Sequence, residues 1–211
     1  MGNNNKENKA TFSDLLRAKF KNIIVFGASS LLKLGLTPNT VTYFGLVGHI
    51  IAAYFVARGM ITQGGLVLLL MAPLDFLDGT MARLQGKATK LGSFIDSVTD
   101  RTAEFVIYGG LLIYYLQQQN DLGCILVYLA VAGSILVSYI RAKAESLQLE
   151  AKQGFLSRVE RYIVLIPCLI INIPLVALWI IAILANLTVI QRFIYVSQQA
   201  RKEASLEDAQ S

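Results

Sequence analysis

The stretch LDFLDGTMARLQGKATKLGSFIDSVTDR, residues 74–101, places Asp75, Asp78, Asp96 and Asp100 at the ends of two apolar runs. An aspartate at the centre of a membrane helix costs about 2.5–3.5 kcal/mol, so four without compensation would cost up to about 10 kcal/mol. Something positive has to sit among them, and acids in such a setting point to function. At about 100° per residue, Asp75, Asp78, Gly79 and Ala82 share one helical stripe, and Thr89, Gly92, Asp96 and Asp100 share another. Two such stripes facing each other would gather four carboxylates around one point. The donor set is all oxygen, which suits Mg²⁺ or Mn²⁺ rather than zinc or copper. Four carboxylates are enough for two ions about 3.5–4 Å apart, a geometry used in phosphoryl chemistry. Gly79, Ala82 and Gly92 would let a phosphate approach the backbone, and Arg83 lies within reach of it with its planar fork. The competing reading is a set of acids salt-bridged to Arg83, Lys90 and Arg101. It leaves the interleaved small residues without a purpose.

The rest of the chain makes these helices membrane helices. Of 211 residues 55% are hydrophobic and 16% charged, with a mean hydropathy of +0.54. Soluble domains carry about 25% charged residues. Apolar stretches at about 41–57, 64–82, 92–116, 122–141, 160–173 and 174–195 predict six transmembrane helices of an all-α polytopic membrane protein. Thr37-Pro38-Asn39 reads as a helix start, Pro174 as another, and Pro167 as a kink in the fifth helix. Residues 1–10 read as a disordered tail, and 11–33 as an amphipathic juxtamembrane helix carrying Phe12, Leu15, Leu16 and Phe20 at helical spacing. The six-helix domain is expected over 37–197, with a solvated tail over 198–211. Of the 19 Lys and Arg, 17 fall at the termini and in the second and fourth connections, against Arg58 alone on the opposite side. This bias predicts both termini, and the chemistry near those connections, on the cytoplasmic side of the cell membrane. Cys124 and Cys168 read as apolar fillers and His49 as a packed residue, while Gly45 and Gly48 read as points of close helix approach. Nucleic acid is not an expected partner.

The spacing D-x2-D-G-x2-A-R-x8-G-x3-D-x3-D is met by Asp75, Asp78, Gly79, Ala82, Arg83, Gly92, Asp96 and Asp100. It resembles the signature of the CDP-alcohol phosphotransferase family. The resemblance implies six transmembrane helices, a homodimer, an active site open to the cytoplasm, and displacement of CMP from CDP-diacylglycerol by an alcohol. By position it implies Asp75, Asp78, Asp96 and Asp100 as metal ligands, with Asp100 also the base for the acceptor hydroxyl. It implies Gly79, Arg83 and Thr89 as contacts to the nucleotide and pyrophosphate, with Ala82 and Gly92 beside them. Asn39, Thr40, Val41 and Thr42 resemble the family's cytidine-side element. No Ser, Cys or His is set up beside a base as a nucleophile, so direct in-line attack is expected.

A second, basic cluster bears on the acceptor. SYIRAKAES (138–146) carries Arg141 and Lys143, LSRVERYIVL (156–165) carries Arg158 and Arg161, and VIQRF (189–193) carries Arg192 inside the last apolar stretch. Arginines beside a metal site suggest a second anion, most simply a phosphorylated acceptor. The runs Tyr139 to Glu145, Glu160-Arg161 and Gln191-Arg192 resemble the phosphatidylinositol-phosphate synthase branch of the family. That resemblance implies inositol 1-phosphate held by Arg141, Arg161 and Arg192, with Lys143 and Arg158 nearby. Phosphatidylglycerophosphate synthase, whose acceptor is glycerol 3-phosphate, is the nearest alternative. An archaeal relative using an archaeol-type lipid shares similar motifs. A cation channel or transporter is the alternative from another class.

Overall fold

A computed structural model of the chain describes residues 12–208 apart from 87, 88, 152, 153 and 155. Among the described residues there are helices and no strands: α1 (Phe12–Lys33), α2 (Pro38–Ala57), α3 (Ile61–Met71), α4 (Leu74–Leu84), α5 (Lys90–Gln117), α6 (Asp121–Ser146), α7 (Arg158–Ile170) and α8 (Pro174–Asp208). The tail expected over 1–10 lies outside the described residues, as do the side chains of Phe12, Leu15, Leu16 and Phe20.

The helix starts follow local chemistry. Thr37 caps α2, its hydroxyl accepting from the Thr40 N–H at 3.2 Å, and Pro38 opens the helix, where a missing N–H costs nothing. Pro174 opens α8 in the same way. The second apolar stretch departs from the expected single helix. It is two, α3 and α4, separated at Ala72 and Pro73. Proline has no N–H to donate, and its ring clashes with the carbonyl one turn back, so the helix stops and restarts. Pro167, by contrast, lies within α7. The eighth helix runs past residue 197, where a solvated tail was expected to begin, to Asp208. There Gln199 exchanges hydrogen bonds of 2.8 and 3.3 Å with the backbone of Glu150.

The main core is shared by α2, α3, α5, α6, α7 and α8, with Ala52, Val56, Leu68, Ile107, Leu111, Leu126, Leu169, Leu178 and Ile181 buried. In it α2 packs along α5 and α6 along α8. Glycines set these distances. A Cβ on Gly110 would lie 2.6 Å from the Ala53 carbonyl oxygen, and one on Gly133 would lie 2.9 Å from the Ala185 Cβ. Both clash, so these helices approach as closely as they do because no side chain intervenes. Cys124 and Cys168 pack against the core as expected.

The outside is apolar. Phe44, Leu70, Phe105, Tyr128 and Ile183 are all exposed, an arrangement costly in water and favourable in lipid. Four segments are long and apolar enough to cross a bilayer: Pro38–Ala57, Ile61–Leu84, Asp121–Ser146 and Pro174–Ser205. The fifth helix has 28 residues, about 42 Å at 1.5 Å per residue, with its acids at Asp96, Asp100 and Glu104. The seventh has 13 residues, about 20 Å, against a hydrocarbon thickness of about 30 Å.

Candidate active site

The break at Pro73 sets the first two acids. Asp75 and Asp78 fall in the first half of α4, and both meet α2. Asp78 is buried and accepts from the Thr42 hydroxyl at 2.7 Å and from the Gly79 N–H at 2.5 Å. Gly45 leaves room for Asp75, whose Oδ1 lies 3.6 Å from where a Cβ on that glycine would stand. Asp75 is half-buried and accepts from Nη2 of Arg158 at 2.8 Å. The other nitrogen of the same fork, Nη1, pairs with Asp100 on α5. Arg158, the first residue of α7, therefore ties a carboxylate of α4 to one of α5. Its guanidinium also lies 5.5 Å from the centre of the Tyr162 ring, one turn on. Asp100 is close enough to Asp75, Asp78 and Asp96 to be repelled by all three. The four acids of the sequence stripes thus form one electrostatic cluster.

The cluster is looser than four carboxylates around one point. Among the described residues, no three Asp, Glu, His or Cys converge tightly enough to hold an ion as they stand. A guanidinium sits between Asp75 and Asp100. The donor set itself fits a divalent cation: carboxylate oxygens from two helices, half-buried or buried, with no imidazole or thiolate among them. Asp75, Asp78, Asp96 and Asp100 are the residues that would hold it.

The nucleotide-side residues divide. Thr89 caps α5, accepting from the Gly92 N–H at 3.0 Å. Its hydroxyl oxygen and the Asn39 Oδ1 lie 3.2 and 3.8 Å from where a Cβ on Gly92 would be. Asn39, Thr89 and Gly92 therefore meet where the first turns of α2 and α5 come together. Thr40 hydrogen-bonds Thr37 through their hydroxyls at 2.8 Å. Val41 turns its side chain into a small core with Ala28 and Met81. Thr42 is buried, with its hydroxyl on Asp78. Gly79 and Ala82 are half-buried, and exposed Arg83 is steadied by donating to Thr80 Oγ1 at 3.0 Å.

The basic residues do not share one role. Arg158 belongs to the acid cluster. Arg161 is 1% exposed and holds Glu104 with both edges of its fork, at 2.6 and 2.9 Å, while Nη1 donates to the Leu156 carbonyl at 3.2 Å. Arg161, which the resemblance implies at the acceptor phosphate, thus donates to Glu104 and Leu156 through all three of its nitrogens. Arg192 is buried on α8, donates to the Val137 carbonyl at 2.9 Å, and lies close enough to Arg141 and Arg161 to be repelled by both. The loop backbone at Gly154 passes over it, where a Cβ would meet Thr188 at 2.3 Å. Arg141 is exposed and pairs with Glu145 at 2.8 Å. Lys143 is exposed.

Sequence reasoning passed over Glu104. It stands one turn beyond Asp100 in an apolar run, the same signal that singled out the aspartates. It also passed over Tyr162, which carries Arg158 on one side and packs edge-on against buried His49 on the other, with ring centres 5.7 Å apart.

The sequence pattern of CDP-alcohol phosphatidyltransferase matches residues 35–192. A phosphatidylinositol phosphate synthase of Streptomyces avermitilis is 33% identical over 95% of this chain and 87% of its own. The phosphatidylinositol phosphate synthase of Mycobacterium tuberculosis, solved with CDP-DAG bound, superposes with a TM-score of 0.75 at 29% identity, covering 83% of this chain and 94% of that one. The same enzyme in complex with manganese and citrate also gives 0.75, at 28% identity over 82% and 88% of the two chains. With the match covering the acid cluster and the basic residues from Arg141 to Arg192, the ion-path reading falls away, and this chain belongs to the CDP-alcohol phosphatidyltransferase family, whose members are transferases of phospholipid biosynthesis.

Proposed function

We propose that this protein transfers the phosphatidyl group of CDP-diacylglycerol to inositol 1-phosphate, releasing CMP and leaving a phosphatidylinositol phosphate in the membrane. The observation that carries the reading is the cluster of Asp75, Asp78, Asp96 and Asp100, with Arg158 of α7 seated against it. The Mycobacterium tuberculosis relative solved with CDP-DAG, and with manganese, supports both the lipid substrate and a divalent metal. Bound Mg²⁺ or Mn²⁺, as two ions, would neutralise the pyrophosphate and stabilise the departing CMP. Asn39, Thr89 and Gly92 frame the nucleotide side, and Arg83 reaches the pyrophosphate. Asp100 takes the proton of the acceptor hydroxyl as its oxygen bonds to the lipid-side phosphorus, while the bond from that phosphorus to the CMP oxygen breaks. Arg192, with Arg141 and Arg161 nearby, provides the positive field for the acceptor's own phosphate.

In this reading six segments span the cytoplasmic membrane, with α3 and α4 joined as one span and α5 and α7 as the two whose acids or short length hide them from a simple hydropathy criterion. The first helix lies along the membrane surface. Both termini and the active site face the cytoplasm, and two copies assemble as a homodimer.

The test is Mg²⁺-dependent CMP release from CDP-diacylglycerol, with acceptors supplied one at a time. Release with inositol 1-phosphate is expected. Release with glycerol 3-phosphate alone would replace the acceptor, and no release with any acceptor would overturn the reaction.

A further inference from the structure

We propose that Arg158 is the protein's built-in counter-ion for the acid cluster, seated between Asp75 and Asp100 where it competes with divalent cations, so that metal binding requires its release. The inference rests on the metal-site reading above. Two nitrogens of one guanidinium engage carboxylates from two helices, and those two carboxylates belong to the set that would ligate the ions. Each aspartate gives one oxygen, Oδ2, to the guanidinium; that oxygen is engaged and the neighbouring positive charge repels a divalent ion, so the two cations compete for the same carboxylates.

The surroundings favour exchange over permanence. Arg158 and both of its partners are about a quarter exposed, at 23%, 24% and 23%, so water reaches the pair and helps separate it. Arg158 Nε is buried with no hydrogen-bond partner, so the guanidinium is held by two of its three nitrogens. The Tyr162 ring face offers a resting surface for a cation on the same helix. The arrangement also explains how four mutually repelling acids are held near one another before any metal arrives. Once released, the guanidinium would be free for the acceptor phosphate, the role its sequence position implied.

The consequence has a sign opposite to that of an ordinary site residue. Removing a competitor strengthens metal binding, whereas removing a ligand or a structural brace weakens it. The experiment is Mn²⁺ binding to the full chain in detergent, followed by the EPR signal of free Mn²⁺, for the wild type, R158Q and R158K. R158Q should bind Mn²⁺ about tenfold more tightly, the change set by the loss of about one ion pair's worth of competition. R158K, whose compact charge reaches one carboxylate at a time, should fall between. In thermal melts R158Q should lose Tm without metal, and the gap to wild type should close at saturating Mn²⁺. Equal or weaker Mn²⁺ binding by R158Q and R158K, with a gap in Tm that metal does not change, would show a fixed brace and overturn the proposal. If R158Q does not fold, R158K alone decides by the same sign. A wild-type protein that binds no Mn²⁺ would instead overturn the metal-site reading, and the proposal with it.

Discussion

Arg158 and Arg161 stand one turn apart at the start of α7, and both pair with carboxylates of α5, yet their surroundings assign them different work. Arg161 and Glu104 are almost fully buried and joined edge to edge, with a backbone carbonyl completing the set. Such a pair is costly to bury and costlier to break, so it holds α7 to α5 in one register. Arg158 is divided between two half-buried carboxylates of the proposed metal site. The lesson is that a sequence pattern of two arginines three apart specifies neither role. Depth does: the deep arginine fixes geometry, and the shallow one can exchange partners.

The largest effect should come from the shallow side. Asp100→Asn removes the proton acceptor and should lower kcat by about 10²–10⁴-fold, while CMP binding persists. Loss of nucleotide binding to the same degree would show that Asp100 is chiefly structural. Next comes the deep side. Glu104→Gln leaves Arg161 charged and uncompensated and should cost about 3–5 kcal/mol, read as a lowered Tm. The double change Glu104→Leu with Arg161→Met should recover most of it, because no buried charge is left behind. Single and double variants equally destabilised would mean that shape rather than charge pairing holds this point. The third effect is smaller and separates substrates. Arg192→Ala should raise the KM for the acceptor about tenfold or more while leaving that for CDP-diacylglycerol nearly unchanged, because only the acceptor brings a phosphate to that end. Equal changes in both would remove Arg192 from the acceptor side.

The same contrast marks what was readable from the chain alone. Charge in an apolar run is expensive, so the four aspartates declared themselves, and their spacing placed each pair on a single helix face. Thr37 with Pro38 marked the start of α2, and Pro174 that of α8. The break between α3 and α4 was present as Pro73 but hidden by the continuity of hydropathy on either side of it. The partners of the arginines were not readable. Arg161 meets Glu104 across 57 positions, and Arg158 meets Asp75 across 83. Local periodicity carries no information at that separation. A basic residue near a membrane edge looks the same in sequence whether it is solvated, buried or shared between acids. Val41 is the reverse case, a position inside a functional-looking segment whose apolar side chain goes to the core.

The central claim is that Asp75, Asp78, Asp96 and Asp100 hold divalent cations at one place between α4 and α5. Anomalous diffraction from crystals of the protein grown with Mn²⁺ tests it directly. The account predicts manganese peaks within coordination distance of these four carboxylates, with Arg158 moved off Asp75 and Asp100. Manganese absent from the cluster, with the guanidinium still bridging the two aspartates at saturating metal, would contradict it.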